Sequence, residues 1–293
     1  MATLRELKGR IGSVASSEKI TGAMKMISSA KMHKAEQAIR RLLPFRQQVE
    51  TVIGNLLSAD AEFSSPLLEA RDVRTVGIVV LGSDDGLCGA YNINIFKRLL
   101  ARMAELRSTL GQDIDIKVYP VGRKIAKALA KIAGPRLEVV TYEGVDSKSS
   151  AAEVKVFVET LRSSFIDGTV DRVDFLYMSF HSVGRQILKA EQFLPVVQET
   201  FSANGVKEQS RPYIFEPDAD TIFSSVLPLF LLSVMQEVFS ENRASEQAAR
   251  VMAMQSANDN ARKLLEQLQL EYNKLRQQSI TTELLDILGG QVR

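Results

Sequence analysis

The 293-residue chain is 45% hydrophobic and 25% charged, a composition that argues for a folded globular chain and against disorder. Its 37 basic and 35 acidic residues leave a net charge of +2, which excludes a polycationic nucleic-acid binder by bulk charge. The single cysteine, Cys88, excludes an internal disulfide and a cysteine-built zinc site, and the two histidines, His33 and His181, are too far apart for a local metal motif.

The first predicted element is a long helix over residues 1–58. Leu4, Leu7, Ile11 and Val14 are spaced 3-4-3, the seam of a heptad. The apolar pattern then shifts phase through Ile20, Ala23, Met24, Ile27 and Ala30, and resumes at Val49, Val52 and Leu56, with Pro44 expected to kink the helix. Ser16, Ser17, Gly22, Ala23, Ser28, Ser29 and Ala30 make its middle slim, so that a partner helix can approach closely. Ten cations against four acids in residues 1–57 give this helix a charge of +6. That charge reads either as a solvated face attracted to a slightly acidic second helix or as a surface turned toward an acidic partner.

A different texture follows over residues 72–205. Residues 74–81 form a continuous apolar run of the kind seen in buried parallel strands, and a glycine-rich turn, Gly82–Gly89, leads into a helix through about residue 110. Strands are expected at 114–119, 137–142 and 173–180, with helices at 121–132 and 149–165 between them. Strands alternating with helices predict a doubly wound, Rossmann-like α/β domain. Residues from about 198 to 217 link it to the last element.

The last element is a helix over 218–288, with Asp218 as its cap, a bend expected at Pro228 and a stop at Gly289–Gly290. Ala261, Leu265, Leu268, Tyr272, Leu275 and Ser279 keep 4-3-4-3-4 spacing, and Ile280, Leu284 and Ile287 continue it in a shifted phase. At the helical rise the two terminal helices would span on the order of 85 and 100 Å. Helices of that length cannot fold alone as globules, so the two are expected to pair as an antiparallel coiled coil around the inserted α/β domain. The longest apolar run, Ile222–Met235, is broken by Ser224, Ser225 and Pro228, so no membrane span is expected. Arg5, Glu6, Lys8 and Arg10 speak against a signal or transit peptide, and the mature protein is expected to start near Met1.

Catalytic chemistry has few candidates. The glycine spacing of the 82–89 turn is not that of a dinucleotide loop, and the turn lacks the Lys-Ser/Thr of a P-loop. Asp84 and Asp85 would repel a pyrophosphate, so the turn reads as a tight structural link. Cys88 has no histidine near it in sequence, His33 reads as a solvated side chain on a basic helix, and His181 ends a strand. No catalytic, cofactor or metal residue is expected.

Four stretches resemble the gamma subunit family of F-type ATP synthases. Residues 20–32, ITGAMKMISSAKM, are similar to its opening helix. Residues 83–92, SDDGLCGAYN, resemble its SDKGLCGAFN turn, with Asp85 for Lys and Tyr91 for Phe. Residues 244–261 and the terminal ITTELLDILGG of 280–290 resemble its C-terminal helix, with Gly290 where Ala is usual. The resemblance implies a non-catalytic rotor on the central stalk of a proton-translocating ATP synthase. Its paired helices would turn inside a ring of alpha and beta subunits, while its α/β foot would bind the epsilon subunit and the ring of c subunits. By the same resemblance Met24, Lys25 and Arg250 would face the moving lobes of beta, and Gln277, Thr281 and Glu283 would meet the collar of the ring. A place at the periphery of the bacterial plasma membrane, on its cytoplasmic face, is implied, as is the absence of thiol regulation.

Overall fold

The computed structural model describes residues 3–57, 65–197, 201 and 215–290. The chain forms two compact units, one made of residues 1–29 with 250–293 and one of residues 30–249. Among the described residues the elements are α1 (Leu4–Leu57), β1 (Thr75–Leu81), α2 (Tyr91–Leu110), β2 (Asp115–Val121), α3 (Arg123–Leu129), β3 (Leu137–Val139), α4 (Ala151–Ile166), β4 (Arg172–Ser182), β5 (Arg185–Leu194) and α5 (Ala219–Gly290).

In the 30–249 unit the sheet order is β3-β2-β1-β4-β5. β1 pairs in parallel with β2 and β4, and β2 with β3, as the alternating pattern predicts. β5 is the departure. It returns from β4 through a two-residue loop, Val183–Gly184, and pairs antiparallel, so the sheet is mixed. Its outer position leaves most of Arg185–Glu191 half-buried or exposed, and so its sequence carries no continuous apolar run.

Each face of the sheet has its own core. Val76, Ile78 and Val80 of β1 pack with Ile95, Leu99 and Met103 of α2 and Ile125 and Leu129 of α3. Val79 and Leu81 of the same strand point the other way, as the two-residue period requires. They join Phe157, Leu161 and Phe165 of α4, Val49, Ile53 and Leu56 of α1, and Phe223, Leu227, Phe230, Leu231 and Met235 of α5. The α1 seam here is Val49-Ile53-Leu56, not Val49-Val52-Leu56, since Ile53 is fully buried and Val52 is 40% exposed. Asp218 caps α5 as expected, accepting the Thr221 amide at 2.7 Å and the Thr221 hydroxyl at 2.8 Å. Pro44 and Pro228 both lie inside helices that continue through them. The most apolar run of α5 differs from its reading in sequence. The helix does contain an 18-residue window of mean hydropathy 1.8, apolar enough to cross a membrane by composition. Phe223, Leu227, Leu231 and Met235 of that helix are fully or almost fully buried in the protein's own core.

In the other unit, residues 4–29 of α1 lie antiparallel to residues 250–288 of α5, because Glu18 bonds Arg262 while Thr21 bonds Asn258. The α5 seam is the predicted one from Ala261 to Ser279, but its expected continuation through Ile280, Leu284 and Ile287 is not seen, since these are 48%, 55% and 62% exposed. Leu268 is buried, and Ala261, Leu265, Tyr272, Leu275 and Ser279 are half-buried, the coverage that a single partner helix provides. The α1 seam does not shift phase. It keeps 3-4 spacing from Leu4, Leu7, Ile11 and Val14 into Glu18, Thr21, Lys25 and Ser28, all buried or half-buried. The apolar set that suggested a shift points outward, with Ile20 58% and Ile27 55% exposed.

Candidate functional site

The glycine-rich turn lies at the carboxyl end of β1, beside the point where the doubly wound sheet reverses its strand order. In such sheets this crevice is where small ligands usually bind. Here the chain fills it with its own last helix. Asn242 of α5 is 2% exposed. Its side-chain oxygen accepts the Tyr91 hydroxyl at 2.6 Å, and its amide donates to the Gly82 carbonyl at 3.1 Å. Gly82 itself cannot carry a side chain, since a Cβ would come within 2.8 Å of Ile125.

The two carboxylates of the turn hold structure together. Asp84, 4% exposed, accepts the Arg123 backbone amide at 2.9 Å, the Ser147 amide at 3.1 Å and the Ser147 hydroxyl at 2.7 Å. It thereby ties the start of α3 and the approach to α4 to one side chain. Asp85 pairs with Lys148 at 2.9 Å and Arg123 at 3.4 Å, and the Asp85 carboxylate raises the Lys148 ammonium above its ordinary value. Asn92 accepts the Ser83 amide at 3.0 Å and donates to the Ser83 hydroxyl at 2.7 Å. Cys88 is buried at 3% exposure, its sulfur beside that hydroxyl and the Asn92 amide. His33 is an exposed side chain 3.4 Å from Glu36, as its position suggested, and His181 is exposed at the end of β4.

All six residues singled out for partner contact fall in the unit of 1–29 and 250–293. Met24 and Lys25 are half-buried, Lys25 on the α1 seam and Met24 on its flank. Arg250 is 6% exposed, so its charge is not displayed on an open surface. Gln277, Thr281 and Glu283 are exposed, with the Thr281 hydroxyl bonded back to the Gln277 carbonyl at 2.9 Å. From 280 to 288 every residue is exposed, including Ile280, Leu284, Leu285, Ile287 and Leu288 at 48–62%. Five large apolar side chains on one helix end have no cover among the described residues, and isolated globular surfaces rarely show such a cluster.

One polar layer of this unit escaped the sequence reading. Asn258, 8% exposed, donates to the Glu18 backbone carbonyl at 2.7 Å and to the Thr21 hydroxyl at 3.3 Å, while Arg262 pairs with the Glu18 carboxylate at 2.8 Å. Gly22 faces this layer, and a Cβ there would make ordinary contact with the Asn258 amide at 3.4 Å. A lone polar residue in a coiled-coil seam fixes register at some cost in stability. The signal was present: 258 lies three residues before Ala261 on the same 3-4 pattern.

Two terminal helices that pair antiparallel in one unit, and a doubly wound sheet whose crevice is filled by the last helix in the other, define the class: an α/β domain inserted in sequence between two long helices. The ATP synthase family model matches residues 3–292. Two curated relatives, both ATP synthase gamma chains, align over the whole of both chains: 42% identical in Phocaeicola vulgatus and 41% in Bacteroides thetaiotaomicron. The chain therefore belongs to the ATP synthase gamma chain family. A rotor chain of Euglena gracilis mitochondrial ATP synthase is similar in fold, with TM-score 0.63 and 18% identity over 94% of this chain and 98% of that one.

Proposed function

We propose that this chain is the rotating central-stalk subunit of a proton-translocating ATP synthase and that it is itself non-catalytic. Family membership over the full length carries the reading. Segments 1–58 and 218–288 form the shaft within an alpha-beta hexamer, and segment 72–205 forms the foot, which meets the epsilon subunit and the c-subunit ring. The complex sits at the cytoplasmic face of a bacterial plasma membrane.

The physics of coupling needs only differential contact. An asymmetric shaft presents a different surface to each of three beta subunits, so each is held in a different conformation, and turning the shaft exchanges those conformations. Met24, Lys25 and Arg250 are the shaft's contacts to the moving lobes of beta, and Gln277, Thr281 and Glu283 meet the collar of the ring. The exposed apolar end of α5 supports the collar assignment, because it is a surface without cover among the described residues. The crevice plugged by Asn242 supports the non-catalytic reading. An affinity-tagged chain purified from native membranes is expected to bring alpha, beta and epsilon with it, and to turn over no ATP when expressed alone. Recovery without alpha and beta, or hydrolysis by the isolated chain, would overturn the proposal.

A further inference from the structure

A second concavity of the 30–249 unit adjoins the glycine-rich turn, because its lining residues Ser147 and Lys148 bond Asp84 and Asp85 of that turn. It is a half-open cavity of about 850 Å³, walled by α1 residues 31–42, the start of α4 and α5 residues 236–247. That volume is within the range of small-molecule sites. Five cations line it, Lys31, Lys34, Arg41, Lys148 and Arg243, against one carboxylate, Glu246. Lys148 is already paired with Asp85. Lys31, Lys34 and Arg41 have no carboxylate within ion-pair distance among the described residues. They sit at i, i+3 and i+10 of one helix, so they project from one flank and converge on one space.

Two further features favour negative charge there. The start of α4 is on the wall, from Ser147 to Ala151. Its capping box uses the amides of Ser150 and Glu153, and the positive end of the helix dipole remains at the cavity. Arg243 is the deepest cation. Its guanidinium donates to the Ser147 and Ser149 carbonyls, both at 3.0 Å, and so it is oriented without being neutralised by them. Burial pushes its pKa below the ordinary guanidinium value despite the opposing charges of Glu246 and Asp146, a remaining cost that a bound anion would offset. Ala35, Ala38, Leu42, Val154 and Phe239 supply an apolar floor.

We propose that this cavity is a binding site for a small polyanion with two or more phosphate groups, held by Lys31, Lys34, Arg41 and Arg243. The simplest such ligand is inorganic pyrophosphate, and a nucleoside diphosphate carries the same charged group with a flat body for the apolar floor. The assignment is independent of the rotor reading and stands or falls on the full-length chain alone.

Calorimetric titration of the full-length chain with pyrophosphate is the test. Saturable binding is expected, and Lys34→Gln/Arg41→Gln should weaken it about tenfold or more, as loss of charge-assisted contacts does. The charge-matched control Lys8→Gln/Lys19→Gln, outside the cavity, should leave it within about twofold. A second readout needs no variant. Pyrophosphate should suppress acetylation of Lys31 and Lys34, read by mass spectrometry, and leave Lys8 and Lys19 unchanged. Titration with ADP separates the sources of the phosphate group: tighter binding than pyrophosphate assigns the floor to a base, and equal binding assigns the site to phosphate alone. No saturation at millimolar pyrophosphate, equal weakening by the control variant, or uniform protection of all four lysines would overturn the proposal.

Discussion

Replacing Asn242 by alanine is expected to cost the α/β unit about 1–4 kcal/mol. The side chain, 2% exposed, accepts the Tyr91 hydroxyl at 2.6 Å and donates to the Gly82 carbonyl at 3.1 Å. After truncation the Tyr91 hydroxyl keeps a second acceptor, the Asn242 backbone carbonyl at 3.1 Å. The Gly82 carbonyl loses its side-chain donor. One neutral hydrogen bond lost is worth about 0.5–1.5 kcal/mol, and a buried acceptor left unpaired costs a further 1–3 or so. The better helix propensity of alanine returns about half a kcal/mol. For a unit of this size the midpoint of thermal unfolding should fall by roughly 2–16 °C. The chain has six tyrosines and no tryptophan, so tyrosine fluorescence with far-UV circular dichroism follows the transition. Tyr91→Phe should cost less than Asn242→Ala, and the double variant should cost less than the sum, because the two side chains share a bond. Asn242→Asp should be worse than alanine despite its shape, since it sets a buried carboxylate oxygen against the Gly82 carbonyl. A loss under about 0.5 kcal/mol for alanine, or an aspartate better tolerated than alanine, would show that this contact does not hold the helix to the sheet.

Glu241→Gln should stabilise the chain at neutral pH and not in acid. Burial, with Glu237 and Glu191 as further contributors against opposing terms from Ser179 and Lys189, raises the Glu241 carboxyl above its ordinary value. A folded pKa above the unfolded one means that the group's stability contribution is complete below the unfolded pKa and is lost as pH rises through the folded one. The midpoint difference between variant and wild type should therefore grow from pH 4 to pH 7, and a difference independent of pH would refute the assignment. Leu268→Asp places a charge at a seam position that is 8% exposed, at a cost of several kcal/mol or so. New protease cuts are expected within 4–29 and 250–288 while 75–194 stays resistant, and a wild-type digestion pattern would refute it. Asn258→Ala should cost about 1 kcal/mol and speed amide exchange around Thr21, because the Glu18 carbonyl and Thr21 hydroxyl lose their donor. Unchanged exchange there would mean that the polar layer does not hold the two helices.

Local pattern was legible in the amino-acid order alone. Leu265, Leu268, Tyr272 and Leu275 read correctly as a seam because a helix turns at a fixed period and one partner covers one stripe. The run at Thr75–Leu81 read correctly as a central strand because both of its faces are covered, so every position must be apolar. The resemblance of four motifs to the ATP synthase gamma family was equally legible, since it rests on residues in order. Pattern misled where polar and apolar residues exchange their usual places. On α1 the eye follows Ile20 and Ile27, yet these face outward and the seam runs through Glu18, Thr21, Lys25 and Ser28. Ile20 and Ile27 are apolar and exposed among the described residues, so hydrophobicity there does not mark the inside. β5 was missed because an edge strand is covered on one side only and its residues mix accordingly.

What tertiary structure alone decided is which distant groups meet. Asp84 and Asp85 read as a bar to anions, and the fold makes them ties to Arg123, Ser147 and Lys148. Asn242, 160 positions from Gly82, carries no periodic signal in the apolar pattern, and only the docking of α5 onto the sheet shows that it plugs the crevice. The cations of the open cavity come from helices far apart in the chain and are ordinary surface residues until packing sets them around one space. Periodicity is a property of neighbours along one element and survives in the sequence. The pairing of a buried polar group is a property of two elements brought together, and nothing local to either one records it.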